Sequence, residues 1–294
     1  MSVPLLQRIP QGRLRRAIRA LALDGLSAAS EFTGQTRQNL NRPRIHFLYS
    51  HGVHTEETAA FQRLIEQLQL RNKFVSYSEA VERVMRNDID SQYVCFSFDD
   101  GFASCVTAAE LLTDAGISAC FFVCPDLVGK ERADLKRAFP RGYKSDQRTM
   151  TWHEIEGLLE RGHEVGSHTL SHPVLAELCD NEAAAQIHVS RETLSSRFGD
   201  ISHFAWPRGQ FRHFNAEAAD VVRQAGYSSC ASAERGCHTF GVRIGGFPCF
   251  RRDYVDLSWP LRHTQYLIAR SARRSSASDN EWPKGWDVSH QGAS

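Results

Sequence analysis

The sequence predicts an α/β fold organised on a parallel sheet, and three observations carry that prediction. Strand-like apolar runs alternate with helix-periodic segments from about Arg44 to Ala233, the pattern of repeated β/α units. Acidic and histidine residues follow directly on two of the runs, where a parallel fold leaves its strand tips open. The chain has 294 residues, enough for one large domain with tails. Alternation alone leaves a closed barrel and an open doubly wound sheet as alternatives, the barrel being the simpler.

Composition excludes several classes. The formal net charge is +1 and charged residues make up 23%, so no global field points to nucleic acid or to an anionic membrane. Hydrophobic residues make up 41%, and no apolar run approaches the roughly 18 residues of a spanning helix. The start, Met1 to Arg8, lacks the apolar core and cleavage site of a secretory signal. Eight cysteines show no repeated Cys-x-x-Cys spacing and are expected to be reduced core thiols, which places the protein in the cytoplasm.

Residues 5–25 set Arg13, Arg15, Arg16 and Arg19 among Leu14, Ile18, Leu21 and Leu23. This reads as a basic amphipathic helix that packs on the domain or, alternatively, touches the inner face of a membrane. Residues 27–43 read as a polar linker. The expected division is therefore 1–42 for helix and linker, 43–271 for the catalytic domain, and 272–294 for a largely disordered tail in which Trp282 and Trp286 are unusual and could dock.

Arg44 to Tyr49 makes the first strand, with His51 at its tip, and Ala60, Phe61, Leu64, Ile65 and Leu68 space out a helix. Ser76 caps a second helix through Val81 and Met85. Tyr93 to Phe98 is a buried strand that runs into Asp99, Asp100 and Gly101. The next helix, Ser104 to Ala115, stops at Gly116 before the strand Ala119 to Val123. Residues 126–149 are charged and aperiodic, a solvated surface insertion. Thr151 to Glu154 forms a capping box for the helix that Gly162 ends. A short strand then leads to His168-Thr169-Leu170-Ser171-His172. A long helix holds Ile187, Leu194 and Phe198, His203 to Trp206 is a strand, Asn215 caps a helix through Val222, and Ser228 to Ala233 is a further strand.

Two histidines four residues apart in a helical or tightly turned segment present both rings to one side. With an aspartate they make a three-ligand set with open positions, which suits a catalytic divalent ion better than a structural one.

Phe96-Ser97-Phe98-Asp99-Asp100-Gly101 resembles the Thr-Phe-Asp-Asp-Gly motif, and His168-Thr169-Leu170-Ser171-His172 the His-Ser/Thr-x-x-His motif, of the polysaccharide deacetylases with a NodB homology domain. The likeness extends over roughly residues 43–255. It implies a distorted (β/α) barrel, usually of seven strands, and hydrolysis of N-acetyl groups on an amino-sugar glycan. It implies a divalent ion, zinc first, with cobalt, nickel, iron and manganese as alternatives, held by Asp100, His168 and His172. Asp99 is implied as general base and His263, in Leu261-Arg262-His263, as general acid. That segment reads as helix, so His51, His213, His238 and the activated water compete with His263 for the role. Phe204-Ala205-Trp206-Pro207-Arg208-Gly209 stands at the third motif, where many members have Arg-x-Pro-Tyr. Ala205 takes the arginine's place, as in a branch acting on poly-N-acetylglucosamine that has Phe-Ala-Tyr-Pro-Tyr/Phe-Gly. Pro207, Arg208 and Gly209 are the expected substrate and oxyanion contacts.

Asp99→Asn is expected to keep metal and folded stability while losing activity. The competing functions are a deformylase or other amidase on a lipid-linked glycan, and an inactive carbohydrate-binding protein.

Overall fold

All of the strand pairings between named elements are parallel, and their order is β8-β7-β6-β5-β4-β3-β1-β9, with the short β2 (Lys73–Phe74) set beside β3. The computed structural model describes residues 11–139, 148–241, 247–275, 282–283 and 286. The strands are β1 (Arg44–Ser50), β3 (Gln92–Phe98), β4 (Ala119–Val123), β5 (Glu164–Ser167), β6 (His203–Ala205), β7 (Ser229–Ala231), β8 (Cys249–Phe250) and β9 (Arg252–Tyr254). Only Arg251 separates β8 from β9, so one segment pairs with β7 at one edge and with β1 at the other. That segment closes the sheet into a barrel. Counted as one strand, it joins β1, β3, β4, β5, β6 and β7 in a seven-strand ring.

Period-two alternation decides what faces where. Phe47, Tyr93, Cys95, Cys120, Phe122, Ala205, Ala231 and Phe250 form the inner cluster, joined by Tyr77, Ala80, Val81 and Val84 of helix α4 (Tyr77–Met85). The intervening Leu48, Val94, Phe96, Phe98, Phe121 and Phe204 face the outer helices. Those helices are α3 (Thr58–Gln69), α5 (Ser104–Asp114), α6 (Trp152–Glu160), α7 (Asp180–Phe198) and α8 (Ala216–Gln224). The caps expected at Ser76, Thr151 and Asn215 each accept a backbone N–H.

Three expectations change. The linker at residues 27–43 is instead helical: α1 runs Gln11–Phe32 and α2 Gln35–Leu40, and both pack on α9 (Leu261–Arg274). Helix α9 itself passes the boundary drawn at residue 271. A solvated insertion is not what the described residues of 126–149 form, because Leu127, Leu135 and Phe139 join Phe102 and Cys124 in a small core of their own. In the tail, the docking alternative holds for Trp282 and Trp286, whose ring centroids lie 6.0 Å from Trp206 (stacked) and 5.8 Å from Phe211 (edge-on) respectively. The remaining residues from 276 onward lie outside the described ones.

Candidate active site

Strand parity carries Asp99 into the barrel mouth: Tyr93, Cys95 and Ser97 point inward along β3, and Asp99 is the next inward position. Asp100 and Gly101 then both adopt left-handed backbone, with φ of 73° and 68°. That double turn places the Asp100 carboxylate on the rim. The glycine relieves one of the two strained positions, whereas Asp100 carries its own.

The partner of Asp99 is Arg252, on β9. Its guanidinium donates to both carboxylate oxygens at 2.8 Å, to Ser97 Oγ at 3.1 Å and to the Ser232 carbonyl at 2.8 Å. The same group lies over the Tyr49 ring at 4.5 Å. Burial by itself would lower the arginine's pKa, but Asp99 raises it above the ordinary value. Both members are buried, and the bidentate geometry fixes the orientation of the Asp99 carboxylate. Sequence reasoning missed this pair, expecting the support to be absent because Ala205 stands at the motif position. The available signal was parity: in Phe250-Arg251-Arg252, Arg252 shares the inward face with Phe250.

His168 follows β5 and His172 closes a turn in which Thr169 and His172 have φ of 67° and 65°, so the pair sits in a tight turn rather than a helix. Thr169 Oγ1 accepts from the His172 backbone, and Gln186 accepts from the Leu170 and Ser171 backbone. Asp100 Oδ1 lies 3.4 Å from His168 Nε2 and 3.1 Å from His172 Nε2. One donor atom from each of the three residues falls within 4.8 Å of the others.

The donor chemistry of this cluster fits a cation. His168 Nδ1 lies 2.7 Å from the Ala205 carbonyl, which only accepts, so Nδ1 carries the proton and Nε2 turns a lone pair toward Asp100. Burial lowers the His172 pKa against the opposing pull of Asp100, and neutral imidazole is the form that ligates. Burial would raise the Asp100 pKa, yet His172, His168 and His51 hold it well below the carboxylate range. Its Oδ2 is buried without a hydrogen bond among the described residues. Carboxylate and imidazole lone pairs that converge in a buried site are stable with a cation between them.

The other expected residues divide. Arg208 and Gly209 make consecutive left-handed positions after Pro207, and a Cβ at Gly209 would lie 2.2 Å from Ala233 Cβ. The Arg208 charge reaches His172 and helps to lower its pKa. His263 is on α9 with its Nε2 donating to Asp24 of α1 at 2.6 Å. It lines a cavity of about 560 Å³ whose opposite wall includes His51, Gly52 and Tyr254. His51 is the histidine that meets the cluster, its Nε2 3.8 Å from Asp100 Oδ2. His238 is buried edge-on against Phe47 and Phe250 in the barrel floor, and His213 receives a hydrogen bond from Arg212.

A closed barrel with an Asp-Asp pair and two histidines at its mouth defines a hydrolase class, and comparison with known proteins names the family. Residues 86–230 match the polysaccharide deacetylase family. Over this stretch, just under half of its length, the chain is similar to that family, and the match supports a hydrolase of carbon–nitrogen bonds other than peptide bonds. Solved structures agree on the fold. The IcaB protein of Ammonifex degensii is similar at 19% identity over 79% of this chain and 98% of its own, with a TM-score of 0.61. The Streptococcus pyogenes deacetylase PplD is similar at 16% identity over 76% of this chain and 98% of its own, also with a TM-score of 0.61. A de-N-acetylase of Aggregatibacter actinomycetemcomitans is similar at 15% identity over 76% and 99%, with a TM-score of 0.59. No curated protein matches the chain by sequence.

Proposed function

We propose that the protein removes N-acetyl groups from amino sugars of a poly- or oligosaccharide and depends on a divalent metal to do so, zinc being the first candidate. One observation carries this reading: Asp100, His168 and His172 converge their donor atoms beside an Asp99 carboxylate that Arg252 holds in place. A divalent ion bound by the three residues would polarise the acetyl oxygen and the attacking water.

Asp99 takes the water's proton. Each of its oxygens receives one hydrogen bond from Arg252 and keeps a lone pair for the incoming proton. The backbone at Arg208 and Gly209 offers N–H groups to the developing oxyanion. His51 returns a proton to the leaving amine. It is taken over His263 for that role because its Nε2 approaches Asp100 and its ring is partly open to the cavity, whereas the His263 Nε2 is held by Asp24. The products are acetate and a free amine. Seven of the eight cysteines are buried, as small apolar core residues are, which supports a reducing compartment for this chemistry.

The test is elemental analysis of the purified protein together with acetate release from N-acetylglucosamine oligomers, with formate measured in parallel. We expect close to one divalent ion per chain, its loss in His172→Ala, and a fall in acetate release with it. Full metal occupancy and activity in His172→Ala would overturn the assignment, and formate in place of acetate would move the reaction to a deformylase.

A further inference from the structure

Helix α1 lies on the domain with its polar side inward. Asp24 accepts from Arg262 and His263, the Arg19 guanidinium sits 4.1 Å from the Trp259 ring centre, and Ser27 is buried. The side turned to solvent is apolar. Positions 18, 21, 22, 25, 28, 29 and 32 follow one another at helical spacing, and they hold Ile18, Leu21, Ala22, Gly25, Ala28, Ala29 and Phe32. Ile18 is 58% exposed, Leu21 71% and Phe32 94%, and the stripe contains no charged residue. A surface helix of a free-standing protein has the opposite polarity.

The edge of this stripe is basic. Leu26 and Ser30 of α1 share a groove with Arg270, Arg273 and Arg274 of α9. These three arginines are exposed, and none has an ion-pair partner among the described residues. An apolar stripe bordered by cations has the character of a helix that lies in the headgroup layer of a bilayer, with its cations at the level of the phosphates.

A second copy of the chain is a poorer occupant. A two-fold contact would set each patch against itself and bring two arginine clusters together, while Asp24, the acid at the centre of α1, is already engaged.

We propose that the outer face of α1, with Arg270, Arg273 and Arg274, seats the protein on an anionic lipid surface. On its inner side the same helix supplies Arg19, Ala20 and Leu23 to the cavity that reaches His51. Docking through α1 therefore sets the cavity beside the membrane, where a glycan on a lipid carrier would enter it. Delivery of substrate rests on the deacetylase reading; the docking itself does not.

The experiment is co-sedimentation of the full chain with vesicles of phosphatidylcholine alone or with about one-third phosphatidylglycerol, run beside acetate release from soluble oligomers. Binding is expected to the anionic vesicles and to weaken as salt rises from about 0.1 to about 0.5 M. Leu21→Asp with Phe32→Asp should abolish it, and each of Arg270→Glu, Arg273→Glu and Arg274→Glu should lower it about fivefold or more. All five substitutions leave activity on soluble oligomers unchanged, since none of these side chains reaches the active site. Equal sedimentation with neutral and anionic vesicles, or undiminished binding in Leu21→Asp/Phe32→Asp, would overturn the proposal. So would a dimer in sedimentation velocity that Leu21→Asp dissolves, because the stripe would then belong to a second copy. Loss of acetate release with docking intact would count against the deacetylase reading alone.

Discussion

If Asp99 is the base proposed above, its pair with Arg252 couples catalysis to stability at a single residue. Arg252 is buried and spends its guanidinium on Asp99, Ser97 and the Ser232 carbonyl, so removing the carboxylate leaves an uncompensated charge inside the barrel. The expectation that Asp99→Asn keeps folded stability therefore changes. We predict that Asp99→Asn lowers acetate release at least about 10²-fold and also costs roughly 3–5 kcal/mol of stability, because one partner of a buried pair is lost. Adding Arg252→Met should restore most of that stability and none of the activity, since the unpaired cation is gone while the base is still missing. Denaturant unfolding of the two variants decides it. Equal stability of Asp99→Asn and the unmodified protein would mean that the pair is not buried as described.

At the level of elements, what was legible in the sequence had a local cause. Strands β1, β3 and β4 are apolar runs, the caps at Ser76, Thr151 and Asn215 are local hydrogen bonds, and both halves of the Asp-His-His cluster sit at the ends of such runs. The strand that brings Arg252 was not legible. Cys249 to Tyr254 is short and carries three charges, and it becomes a strand only because β7 and β1 offer it two edges at once. The same holds for α2, whose polar sequence forms a helix because α9 is there to pack on. In the tail, Trp282 donates its Nε1–H to the Phe247 carbonyl and stacks near Trp206, Phe214, Phe247 and Trp286, contacts that no sequence window contains. Trp206 belongs to the segment that positions Arg208, so the tail braces the third motif. Trp282→Ala should cost roughly 1–3 kcal/mol by lost burial and ring stacking, measured by thermal unfolding. An unchanged midpoint would show that the tail only rests on the surface.

Taken as a whole, the molecule is built to be stable near neutral pH and to lose stability in acid. No helix of the described residues is long and apolar enough to cross a membrane. Three histidines away from the Asp-His-His cluster, His46, His163 and His203, have pKa values lowered mainly by burial, which disfavours their charged forms. His46 faces Asp253 and Arg44, His163 lies against Thr113, and His203 sits between Ser78 and Ser229. Unfolded histidine titrates near 6.5, above the folded values, so below that pH the unfolded chain binds more protons and folding weakens. Each such histidine contributes a slope of up to about 1.4 kcal/mol per pH unit. Glu154 adds to the trend at lower pH: its Arg148 partner leads the causes that bring its pKa to about 2, so the stability it contributes is present above the unfolded value and lost as pH falls toward 2. The signs agree, and nothing in this set favours acid. We predict that the thermal midpoint, measured with chelator present so that ligand protonation adds nothing, falls between pH 7 and 5 by several degrees at roughly 2–4 °C per kcal/mol. It should fall further below pH 4.5, the ordinary value for glutamate. A midpoint that holds level or rises on going from pH 7 to 5 would mean that these histidines are protonated in the folded protein, and that the polar groups around them serve to hold imidazolium.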